Sequence, residues 1–184
     1  MEVTDIEVAF LDKAIKFAGL PMGEENIIKP KTLNKLAKQS QRSHAKFLRQ
    51  IMICANIKAP LYWWTEFDTY KIGVTRMSTS VMHTILKKGL SWDDFEPVYR
   101  NNEVIKKAIL DIKFYIAEPT ISDLHKVNYI KAMLPSCFLY TSFVTFNYEV
   151  LRNMYHDRKN HRLYEWKRFL KEFETIKYFR EFIQ

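Results

Sequence analysis

The stretch 51–58 decides the class of this chain. Ile51, Ile53, Ala55 and Ile57 alternate with Met52, Cys54, Asn56 and Lys58. That is the period-two pattern of a strand with one greasier face. A second run, 138–146, is aromatic and β-branched and reads as another long strand. Strands this few, scattered among helical segments, exclude a Rossmann βαβ series. They predict an α+β fold, with mixed helices around a small antiparallel sheet. Only four glycines occur in 184 residues, and no G-x-G-x-x-G or P-loop is present. A phosphate site in this chain therefore has to be built from side chains rather than from a glycine cradle.

The remaining segments have helical spacing. Thr4-Asp5-Ile6-Glu7 has the form of a capping box. Ile6, Ala9, Phe10, Ala14 and Phe17 follow it at helical intervals, and Gly19 and Pro21 stop the run. Residues 22–31 read as a loop, after which Thr32 is placed to cap a short helix carrying Leu33 and Leu36. Pro60 suits a first helical position, so Leu61 to Tyr70 reads as a short helix ended by Gly73. Further helices are expected at about 101–117, 122–134, 147–156 and 161–174. No internal repeat or linker divides the chain, and residues 1–184 are expected to form one domain.

The formal net charge of +8 favours an anionic partner: a nucleotide, a cofactor phosphate or nucleic acid. Lysines and arginines are spread along the chain without a DNA- or RNA-binding motif, which disfavours nucleic acid. No run of about 18 apolar residues occurs, so no membrane span is expected. The acidic start Met1-Glu2-Val3-Thr4-Asp5 is unlike a signal peptide. Cys54 and Cys137 lie in apolar runs and read as buried free thiols of a reducing, cytoplasmic compartment. The five histidines show no metal-ligand spacing, and no metal is expected.

The most informative stretch begins at Ile130-Lys131-Ala132-Met133-Leu134-Pro135. It continues through Tyr140-Thr141 and Thr145-Phe146-Asn147 to Asn153, Arg158, His161 and Glu165-Trp166. This order and spacing resemble the C-terminal half of the flavin-dependent thymidylate synthases. That family has a basic residue before Leu-Pro, Tyr-Thr in the next strand, an Asn opening a helix, and an Asn and an Arg at fixed distances beyond. Ser43-His44, Phe47-Leu48 and Ala59-Pro60 resemble the family's earlier Gly-His, first strand and Pro-initiated helix. The resemblance covers roughly 43–83 and 130–174.

The resemblance implies roles for particular residues. Lys131 and Arg158 match basic residues that contact deoxyuridylate (dUMP), and Glu66 and Ser80 join them as nucleotide-binding candidates. An ammonium and a guanidinium converging on one pocket suit a phosphate or a polarised carbonyl. Asn147 and Asn153 fall where the family touches FAD, and Asn supplies both donor and acceptor. Asn147 also reads as an ordinary helix N-cap. Lys71, Tyr70 and Arg49 complete the cofactor candidates. The aromatic stretch 62–70 reads either as a stacking wall for a ring or as core and subunit interface.

The family's Arg-His-Arg motif is largely rewritten. Thr69-Tyr70-Lys71 stands in its place, Arg76-Met77 replaces a following Asn-Glu pair, Glu66 stands for a glutamine, and Arg49 for an acidic residue. The implied activity is one-carbon transfer to a pyrimidine deoxynucleotide by a homotetrameric methyltransferase of nucleotide biosynthesis using FAD and a folate. Two other readings stand beside it: a non-catalytic nucleotide-binding or assembly derivative, and a basic nucleic-acid-binding protein.

Overall fold

The computed structural model describes residues 1–23, 29–38 and 45–184. Four antiparallel strands form one sheet: β1 (Glu2–Ala9), β2 (Met52–Pro60), β3 (Val74–Ser78) and β4 (Leu139–Asn147), in the spatial order β1-β2-β4-β3. The alternation at 51–58 sets its register. Ile53 lies opposite Phe146, Ala55 opposite Val144 and Ile57 opposite Ser142, all on the buried face. Cys54, Asn56 and Lys58 pair with Thr145, Phe143 and Thr141 on the other, more open face.

The buried face is covered by α3 (Leu61–Phe67), α7 (Tyr148–Arg158), α8 (Tyr164–Glu172) and the terminal turn α9 (Phe179–Phe182). Trp63, Trp64, Phe67, Trp166 and Phe169 interlock there as the centre of the core. A second, smaller core joins α4 (Val81–Lys88), α5 (Glu103–Ala117) and α6 (Asp123–Met133) through Ile85, Ile109, Ile112 and Ile130. Tyr62 and Tyr140 pack against both cores. Glu96, 5 % exposed, is tied to the Met1 ammonium at 3.0 Å and to Arg168 at 3.6 Å. No helix among the described residues is long and apolar enough to cross a membrane.

The expected N-terminal helix is a strand. Thr4 and Asp5 do not cap a helix; Asp5 sits at φ 54 in a register break between Thr4 and Glu7. Its carboxylate accepts from Asn56 Nδ2 at 2.7 Å and Thr4 Oγ1 at 3.0 Å. The bulge explains the misreading. The expected series Ile6, Ala9, Phe10, Ala14 and Phe17 joins a bulged strand, whose inward residues are Val3, Ile6 and Val8, to the helix that carries Ala14. A true helix, α1 (Leu11–Lys16), starts only after Phe10. Thr32 is not a cap either, because α2 (Pro30–Lys38) opens two residues earlier on Pro30. Neither β3 nor α4 was expected; β3 is mostly exposed and has no apolar alternation to give it away. Ser43 and His44 lie outside the described residues.

Candidate functional site

Pro60 ends β2 and opens α3, whose buried side carries Trp63, Trp64 and Phe67. Trp64 Nε1 donates to the carbonyls of Ala59 and Tyr140 at 3.1 and 3.2 Å and locks the helix to the sheet. This leaves Tyr62, Glu66 and, just beyond the helix, Tyr70 on the half-buried side. The aromatic stretch is thus mainly core: Trp63 and Trp64 cannot serve as a ligand-stacking wall or a subunit contact, being 0 % and 1 % exposed.

α7 starts on Asn147, whose Oδ1 accepts from the Val150 amide at 3.0 Å, and its last turn delivers Arg158. The guanidinium meets α3 there. Its Nε donates to Tyr70 Oη at 3.0 Å and its Nη1 to Glu66 Oε2 at 3.2 Å. It lies 5.0 Å from the Trp166 ring centre and 5.6 Å from that of Tyr70. Glu66 Oε2 also accepts from Trp166 Nε1 at 2.8 Å and faces His161 Nε2 at 3.4 Å. His161 Nδ1 accepts from the Leu163 amide, so Nε2 carries the proton toward Glu66. Tyr70 in turn donates to Asp157 at 3.2 Å. Burial pushes the Tyr70 phenol above its ordinary value, against the lowering pull of Arg158.

Beside this cluster, at the junction of the two cores, opens a cavity of about 490 Å³. Tyr62, Thr65, Glu66 and Tyr99 form one side of it. Ile105, Ser136, Cys137 and Leu163 complete the lining. Tyr62 donates a short hydrogen bond to Glu165, and burial, then this bond, pushes its phenol well above the usual range. A larger cavity of about 580 Å³, between α1 and the turn at Lys46–Arg49, contains none of the expected site residues.

No protein-family model matches the chain, and no curated protein does. Solved structures do. A flavin-dependent thymidylate synthase ThyX from Helicobacter pylori, complexed with FAD and dUMP, superposes with a TM-score of 0.74 at 15 % identity, covering 100 % of this chain and 98 % of that one. A second structure of that enzyme with FAD and dUMP gives 0.75 at 15 % identity, with 100 % and 97 % coverage. The chain has the thymidylate synthase X fold.

On this thymidylate synthase fold the expected residues separate into two groups. Glu66, Tyr70 and Arg158 come together, although 88 to 92 positions part the last from the others. His161, Trp166 and Asp157 complete the cluster. His161 and Trp166 lay within the resembling stretch, but only the folded geometry shows that both turn toward Glu66. Tyr62 belongs to the aromatic stretch expected to wall a ring, whereas Tyr99 had no sequence signal as a cavity residue. The other candidates lie apart from the cluster's hydrogen bonds. Lys131 is exposed in the last turn of α6, and Ser80 precedes α4, its carbonyl accepting from Thr84 Oγ1 at 2.7 Å. Arg49 grips Glu149 with two nitrogens at 2.6 and 3.2 Å. Lys71 is exposed and shares a small cleft with Tyr70 and Arg76. Asn153 is half-buried on α7. Gly73, at φ 82, lets the chain pass close to α7: a Cβ there would meet Val150 Cγ2 at 3.0 Å and Asn147 Nδ2 at 3.3 Å. Among the described residues, no group of three or more His, Cys, Asp or Glu is placed to hold a metal ion.

Proposed function

We propose that this chain binds a pyrimidine mononucleotide, as a divergent derivative of the thymidylate synthase X fold. The observation that carries the reading is the meeting of Arg158, Tyr70 and Glu66 at one point, on a fold whose solved neighbours hold dUMP. Arg158 is oriented by Tyr70 and Trp166. Its Nη2 makes no hydrogen bond among the described residues and is the natural partner of a phosphate oxygen. Lys131 and Ser80 enter as further nucleotide contacts on the sequence resemblance alone, since neither joins the Arg158 cluster.

The flavin is a separate matter. Of its candidate contacts, Arg49 is paired with Glu149, Asn147 is spent as a cap, and Tyr70 is bound to Arg158. Asn153 and Lys71 are left, which do not by themselves make a cradle for FAD. Flavin binding is therefore expected to be weaker than in ordinary members of the fold. The residues present make a nucleotide binder in which one-carbon transfer is slow or missing. The protein is proposed to be cytoplasmic, in keeping with its two free thiols, and homo-oligomeric.

Calorimetry with pyrimidine mononucleotides tests the binding; heat from none of them would remove the reading. Complementation of a thymidine-requiring bacterial strain tests the chemistry. Little or no growth without thymidine is expected, and robust growth would show that the rewritten motif is catalytically sufficient.

A further inference from the structure

The lining of the cavity beside Glu66 is unusual in which hydrogen-bonding functions it has left over. Thr65 spends its proton on the Tyr62 carbonyl at 2.7 Å. Tyr62 spends its own on Glu165. What these two hydroxyls can still offer a ligand is lone pairs. The Glu66 carboxylate has only acceptors, and its partners sit on Oε2; Oε1 has none among the described residues. Tyr99 and Ser136 can accept as well as donate. Among the described residues no lysine, arginine or histidine lines the cavity, in a protein of net charge +8. Glu165 and Glu96, both nearly buried, stand behind the Tyr62 and Tyr99 wall. The Tyr62 and Tyr99 rings meet edge to face with centres 6.2 Å apart.

On the side where Glu66, Thr65 and Tyr62 offer only lone pairs, the lining disfavours a ligand edge that is itself all acceptor and favours one rich in N–H donors. We propose that this cavity takes an aminopyrimidine, a flat ring carrying an exocyclic amino group, with that group donating to Glu66 Oε1. This deepens the nucleotide reading and, where the two apply together, makes a cytosine-type base the preferred one over a uracil-type base. A carboxylate accepting from the cytosine amino group is a matched pair; facing a uracil carbonyl it is two acceptors in contact.

Calorimetry with three probes separates this inference from the nucleotide reading. The probes are dCMP, dUMP and phosphate-free 2,4-diaminopyrimidine. The expected result is measurable binding of diaminopyrimidine and about tenfold or greater preference for dCMP over dUMP. Glu66→Gln, which keeps the shape but makes one position a donor, should lose both. Ile105→Trp, which fills the cavity from α5 and leaves the Arg158–Glu66 pair alone, should abolish diaminopyrimidine binding. Equal affinity for dCMP and dUMP with no diaminopyrimidine binding would overturn the inference and leave the nucleotide reading standing. Diaminopyrimidine binding without either nucleotide would do the reverse. Binding that survives both substitutions, or no binding of any probe, would overturn it outright.

Discussion

Arg158 does not stand alone as a cation; its charge is shared with Glu66 and its plane is held by two aromatic rings. Removing it therefore has two effects. Arg158→Ala should lower pyrimidine-nucleotide affinity by about 2–5 kcal/mol, part of which reflects Glu66 left without its partner. Arg158→Lys keeps the charge but loses the fork that bridges Tyr70 and Glu66, and should recover only part of the loss. Titration calorimetry checks both, and equal affinity in all three proteins would mark Arg158 as a structural ion pair only. A different residue contributes to the response to acid. His156 is held below its ordinary value of 6.5 by burial first, then by Lys159 and Arg152. The folded state thus takes up this proton later than the unfolded chain does. The contribution is present above pH 6.5 and is lost as pH falls through the unfolded value toward the lower folded one. Stability measured by denaturant titration should fall across that interval, and His156→Gln should flatten the fall.

At the scale of elements, α3 links the core to the site, and its two tryptophans differ in one respect. Both are buried, but Trp64 Nε1 bonds two carbonyls of β2 and β4, whereas Trp63 Nε1 has no partner among the described residues. Trp64→Phe should destabilise by about 1–2 kcal/mol more than Trp63→Phe, read as a difference in denaturation midpoints. Equal losses would mean that the Trp64 bonds contribute nothing net. α3 was also among the most legible parts of the sequence, because Pro60 and the apolar run fix its start. β2 was legible from its alternation, β4 from its aromatic and β-branched run, α5 from its apolar spacing and α7 from the Asn147 cap. β1 was not, because a bulge changes the spacing of its inward side chains. β3 was not, because Thr75, Arg76, Met77 and Ser78 are exposed and owe their strand to pairing with β4. The site was half legible. Spacing could point to Arg158, Tyr70 and Glu66 one at a time. That Glu66 is the hub joining Arg158, His161 and Trp166 depends on a contact across about a hundred residues, which no local pattern encodes.

The whole molecule presents its sheet asymmetrically. One face is core; on the other, Met77 and Phe143 lie opposite each other, 67 % and 37 % exposed, next to Asn56. This pair, rather than the buried tryptophans of α3, now motivates a homo-oligomer, proposed as a tetramer. Light scattering at micromolar concentration should give a mass near four chains, and Met77→Lys with Phe143→Lys should reduce it; a wild-type monomer would remove the proposal. The bulge in β1 bears on assembly at right angles to that face. A sheet edge propagates only if an incoming strand finds an unbroken row of amides and carbonyls. Asp5 interrupts that row at mid-strand by turning into the left-handed region, with Glu2 and Glu7 exposed to either side. At this end the sheet carries its own stop against templated fibre growth, written into the same residues that imitate a helix cap in the sequence.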